Sequence, residues 1–158
     1  MDDFAELKRQ CQTAKLTAWS FLGSILVYML VALLMARAKT SETLSNNPVA
    51  LRFGFVGLTL IGFTIINIVK PFILEGSSTP ETVATERDKS RLAEKLFSTS
   101  VISLSICEAP AVFGLILFFI SRNMFDFYLF AAIAAGAIIL NFPQYDQWES
   151  WVRSKFIE

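Results

Sequence analysis

One acidic residue in this chain stands where acids rarely stand. Glu108 lies near the centre of the apolar run from Leu96 to Ile120, and no other carboxylate sits deep inside an apolar segment. A run of that length crosses a bilayer as a helix, which takes about 20 residues. An ionised carboxylate at mid-depth costs roughly 2.5–3.5 kcal/mol on insertion scales. That cost favours the protonated acid, which donates one hydrogen bond and accepts others. Ser105, one turn earlier, or a neighbouring helix would supply further oxygens, and Glu108 with Ser105 forms the candidate ion-binding pair. Pro110 cannot donate its backbone hydrogen bond, which frees the carbonyl of Ile106 and predicts a kink beside the acid.

The residues from the acid onward carry a resemblance. Glu108-Ala109-Pro110-Ala111-Val112-Phe113-Gly114-Leu115 resembles the ion-carrying helix of rotary ATPase proteolipids. In the vacuolar and archaeal types that helix reads Glu, two variable positions, Ala, Ile or Val, Tyr or Phe, Gly, Leu. Leu96-Phe97-Ser98 and the Glu108-Ala109 pair are similar to the F-type c-subunit. The resemblance is confined to residues 96–120. It implies that Glu108 binds and releases a proton or a sodium ion.

Other chemistry is poorly served. The 158 residues include no histidine, the commonest metal ligand and general base. Cys11 and Cys107 are far apart, with no CxxC spacing, so neither zinc nor a redox dithiol is indicated. Cys107 reads as a small buried packing residue. No nucleophile–base pair, metal set or phosphate loop is present, so no enzyme and no cofactor is expected. Lys plus Arg and Asp plus Glu are 14 each, which removes the electrostatic case for nucleic acid.

The elements that must hold Glu108 follow from hydropathy. The chain is 54% hydrophobic with mean hydropathy +0.52, and the apolar share is gathered in blocks. Four blocks read as membrane spans, at about 16–36, 49–69, 96–120 and 125–142. The sequence therefore predicts an all-α fold and one polytopic membrane domain. That domain would be a four-helix transmembrane bundle with amphipathic N- and C-terminal interfacial segments. In the N-terminal segment Phe4, Leu7, Cys11 and Ala14 recur at helical spacing. That pattern fits an interface-lying helix or a solvated run-in to the first span equally well.

Within the spans the first carries Ser20, Ser24, Tyr28 and no charge, which points to helix packing. Arg52, near the start of the second, is placed to reach headgroups with its long side chain. Asn67 falls at headgroup level near the far end. A polar loop with Asn46-Asn47-Pro48 is a turn signal. The hydrophilic loop 75–95 mixes both signs of charge, as a solvated helix face does. Arg122-Asn123 form a tight turn, after which Asp126 suits the N-terminus of the fourth span. Gly114 on the third span, with Ala132 and Gly136 on the fourth, is expected to let these neighbours approach closely.

Aromatic residues mark the interface. Trp19, Trp148 and Trp151 are expected at headgroup depth, the last two on an amphipathic tail. Four spans put both termini and the 75–95 loop on one side, which holds ten of the 14 Lys and Arg. The positive-inside rule then places both termini in the cytoplasm. Besides the lipid bilayer, the partners expected are further copies of the chain or the subunits of a membrane complex.

Two functions remain in view. In the first, the protein is a structural or accessory membrane subunit and Glu108 is a protonated helix-packing residue. In the second, Glu108 is the carboxylate of a proteolipid-like proton or sodium carrier. Replacement by Gln separates them, because Gln keeps the hydrogen bonds and cannot exchange a proton.

Overall fold

A computed structural model describes residues 5–37, 48–75 and 86–156. Within them the chain is all-helical: α1 (Ala5–Arg37), α2 (Pro48–Glu75), α3 (Glu86–Ser121), α4 (Met124–Leu140) and α5 (Tyr145–Phe156). Three helices, α1, α2 and α3, are long and apolar enough to cross a membrane, and α4 is a shorter apolar helix of 17 residues. Residues 38–47 and 76–85 lie outside the described part. So do Phe4, most of the Asn46-Asn47-Pro48 turn, most of the polar loop and the side chain of Trp151.

The N-terminal segment and the first span form one helix of 33 residues. Nothing between Lys15 and Leu16 breaks a helix, so it runs on for about 50 Å at 1.5 Å per residue. Its hydroxyls are satisfied locally: Thr13, Thr17 and Ser20 each donate to the carbonyl one turn back. The third span likewise extends backward into the charged segment, giving a helix of 36 residues. It continues through Pro110, whose ring is fully buried.

The α3–α4 turn needs a reversal within two residues. Arg122 supplies it by adopting φ 56, a left-handed conformation uncommon for a side chain of its size. Its backbone N–H donates to the Phe118 carbonyl at 2.8 Å. Asn123 then caps α4, its side-chain oxygen accepting from the Phe125 N–H at 3.0 Å.

The architecture is a hub. α3 packs against every other helix; α1 also touches α4 and α5. Among the described residues, the backbone of α2 approaches α3 and no other helix. The main core lies where α1, α3 and α4 meet, built from Ala18, Ile25, Leu104, Cys107, Ala111, Ala134 and Ile138. At the α3–α4 turn a smaller cluster joins Ala32, Phe118 and Phe127.

At Gly114 α3 packs tightly against α4. A Cβ there would sit 2.7 Å from the Phe130 Cβ, inside contact distance. Ala132 and Gly136 are placed differently from expectation: both are exposed, and a Cβ on Gly136 would meet nothing within 4 Å. α4 faces its neighbours instead through Phe127, Phe130, Ala134, Ala137 and Ile138. Small residues occur all round α4, so its packing face is set by which side carries phenylalanines that fit over Gly114.

A third cluster lies at the opposite end. Leu7, Cys11 and Ala14 of α1, Ala93 and Leu96 of α3, and Trp148 and Val152 of α5 pack together. The N-terminal apolar stripe is therefore covered by protein. Trp148, expected at headgroup depth, is 7% exposed, because α5 packs onto the N-terminal parts of α1 and α3. Trp19 is 64% exposed and meets Phe142 edge-on, with ring centroids 6.1 Å apart.

Candidate functional site

Glu108 is half-buried on the flank of α3 that faces α1. The two residues that meet it, Ser24 and Tyr28, are four apart and so share one face of α1. The Tyr28 hydroxyl donates to Glu108 Oε1 at 2.9 Å. The Ser24 hydroxyl bonds the same carboxyl oxygen. Ser24 Oγ also lies 2.7 Å from the carbonyl oxygen of Phe21. Four oxygen-bearing groups thus meet on one seam: a carboxyl, an aliphatic hydroxyl, a phenol and a backbone carbonyl. Ile25, Leu104 and Ala111 of the main core lie close by in sequence on the same two helices.

Ser105 does not join this group. It is exposed, and its hydroxyl donates to the Val101 carbonyl of its own helix at 2.9 Å. The oxygens around the acid come from α1 instead. Sequence reasoning took Ser24 and Tyr28 as packing residues. Their i, i+4 spacing on an otherwise uncharged span was the available signal.

A second polar contact lies towards the α3–α4 turn. Arg52 of α2 holds Asp126 of α4, with Nε and Nη2 at 2.8 and 2.7 Å from Oδ2. The Asp126 side chain is 8% exposed and that of Arg52 36%. Arg52 was expected to reach headgroups; the structure turns its guanidinium to a carboxylate. Asp126 does occupy the first turn of α4, where the helix dipole favours it. The two residues are 74 positions apart, which hid the pair from local reading.

The two thiols are buried and apart. Cys107 Sγ is 3.7 Å from Nδ2 of Asn141, a weak contact from α3 to the end of α4. Cys11 lies in the cluster under α5. Among the described residues there is no group of three or more His, Cys, Asp or Glu side chains arranged to hold a metal ion. Comparison with known family models, curated proteins and solved structures finds no match.

Such an arrangement can do two things chemically. It can hold a proton on a half-buried acid with every neighbouring polar group engaged. It can also offer several oxygens to a small cation.

Proposed function

We propose that the chain is a small multi-pass membrane protein of structural or accessory type, not an enzyme, in which Glu108 is a protonated acid that binds α3 to α1. The four apolar helices α1 to α4 are the crossings. α4, at 17 residues, falls at the short end of the range that spans a bilayer. The surface of these helices supports the assignment: Leu26, Leu30 and Leu34 of α1, Phe53, Leu60 and Ile68 of α2, and Leu129 and Ile139 of α4 are all exposed. A soluble monomer rarely displays so much contiguous apolar area. Both termini lie in the cytoplasm by the distribution of Lys and Arg, and α5 with the long ends of α1 and α3 forms a knob on that side.

The observation that carries the reading is that Ser24 and Tyr28, one turn apart on α1, both bond the Glu108 carboxyl of α3. The neutral acid is compatible with the hydrogens available. Ser24 has one hydroxyl hydrogen, and the Phe21 carbonyl beside it can only accept. With that hydrogen on Phe21, the bond between Ser24 and Glu108 takes its hydrogen from the acid. The series then runs from the Tyr28 hydroxyl to Glu108 Oε1, to Ser24, to the Phe21 carbonyl. Such bonds act as glue between membrane helices. The assembled form is a homo-oligomer or one subunit of a larger membrane complex.

A second reading is favoured by the same oxygens. Glu108, Ser24, Tyr28 and the Phe21 carbonyl are a ligand set suited to a proton or a sodium ion, as in a proteolipid-like carrier. Glu108→Gln and Glu108→Leu, reconstituted in vesicles, separate the two. On the structural reading Gln retains stability and assembly while Leu loses both. On the carrier reading Gln abolishes proton or sodium flux that the native protein supports. Loss of assembly in Gln, or measurable flux that Gln removes, overturns the structural assignment.

A further inference from the structure

α2 is attached to the rest of the molecule in an unequal way. Its middle is held tightly: Gly62 lies so close to α3 that an added Cβ would be 3.1 Å from Ile106 Cγ2. One turn on, Ile66 is buried in the main core. Towards its start, Phe55 lies flat on Phe113 of α3, with ring centroids 4.9 Å apart and planes 7° from parallel. Thr59 is buried between these points, its hydroxyl donating to the Phe55 carbonyl at 2.8 Å. One turn before Phe55, Arg52 reaches away from α3 to Asp126 on α4. The backbones of α2 and α4 do not otherwise approach one another among the described residues. The long arginine side chain spans the gap.

From this we propose that the Arg52–Asp126 ion pair is a latch. It closes the first half of α2 onto the α3–α4 pair, and when it is released that half swings outward about the Gly62–Ile106 contact. Three features support it. The pivot is a point where the absence of a side chain lets α2 come close to Ile106 of α3. Much of the segment before the pivot faces outward, with Phe53, Val56, Leu58 and Leu60 all exposed. The two sides of the latch are unequal, since Asp126 is sealed and Arg52 is one-third exposed. A buried carboxylate left without its cation is strongly disfavoured, so the closed state is self-locking and opens from the arginine side. Opening uncovers Thr59 and the face of Phe113. The proposal does not depend on the state of Glu108, which lies on the opposite flank of α3.

Spin labels on Val49 near the start of α2, about 20 Å from the pivot at 1.5 Å per residue, and on Leu129 of α4, both exposed, read the gap by double electron–electron resonance in the full chain reconstituted in phosphatidylcholine vesicles. Labels on Leu30 of α1 and Leu129 serve as control. The native pair gives one narrow distance distribution. Arg52→Gln and Asp126→Asn each add a longer population in the α2–α4 pair and leave the α1–α4 control unchanged. The charge-swapped double variant Arg52→Asp with Asp126→Arg returns the distribution towards the native one. An unchanged α2–α4 distribution in both single variants overturns the latch. Broadening of the control along with the test pair overturns it too, because the ion pair would then hold the whole fold and not one hinged helix.

Discussion

Tyr28 and Glu108 stand 80 residues apart in sequence, and the phenol of one donates to the carboxyl of the other at 2.9 Å across the α1–α3 seam. With Ser24 one turn away on the same oxygen, α1 meets the sole acid of the α3 apolar run with two hydroxyls. Each hydroxyl is therefore expected to contribute as an interhelical bond in a membrane does, on average about 0.6 kcal/mol and at most about 1.7 kcal/mol. Tyr28→Phe and Ser24→Ala should each lower stability by that order in a reversible detergent unfolding titration. A double-mutant cycle of Tyr28→Phe with Glu108→Leu should show coupling of similar size. Zero coupling would mean that the contact is not energetic.

Gly114 and Gly136 make opposite predictions from one residue type. Gly114→Ala puts a methyl group 2.7 Å from Phe130 Cβ, so α3 and α4 must part. The expected loss is about 1–3 kcal/mol, as for other overpacked sites. Gly136→Ala meets open space and gains helix propensity, by roughly 0.5–1 kcal/mol. The same unfolding titration reads both. Equal effects of the two substitutions would contradict the packing face assigned to α4.

How much of this was legible in the sequence divides along physical lines. The apolar blocks are long, so the apolar helices were readable from composition alone. Glu108 stood out because charge in an apolar run is rare. Its partners did not, because a hydroxyl in a membrane span satisfies itself on its own helix, as Ser20 and Ser105 do, and looks the same in sequence when it does not. The stripe of Leu7, Cys11 and Ala14 was visible, yet nothing local says that α5 covers it. Arg52 and Asp126 each had a sound local explanation, and only the meeting of α2 with α4 pairs them. What was hidden was in each case a contact between residues distant along the chain.

Trp148 and Trp19 test the placement of α5. Trp148 of α5 is buried against α1 and α3, and Trp19 faces outward. Brominated lipid should quench Trp19 and leave Trp148 nearly untouched, read in single-tryptophan variants. Trp148→Ala should cost about 3–5 kcal/mol, the loss expected for a large side chain removed from a packed cluster. Strong quenching of Trp148 would return α5 to the bilayer surface.

Cys11 and Cys107 are 2% and 0% exposed. Both should react slowly with a water-soluble maleimide in the folded protein and quickly once it is unfolded. Trp148→Ala should speed Cys11, which lies in the same cluster, and leave Cys107 slow. Rapid labelling of Cys11 in the native protein would show that the cluster under α5 does not close.

The proton on Glu108 is read most directly by infrared spectroscopy of the protein in vesicles at neutral pH. The carbonyl stretch of a protonated carboxylic acid should be present, disappear in Glu108→Gln, and shift in Tyr28→Phe as one hydrogen bond is lost. A native spectrum with no acid carbonyl band removed by Glu108→Gln, and with carboxylate bands in its place, would contradict the account.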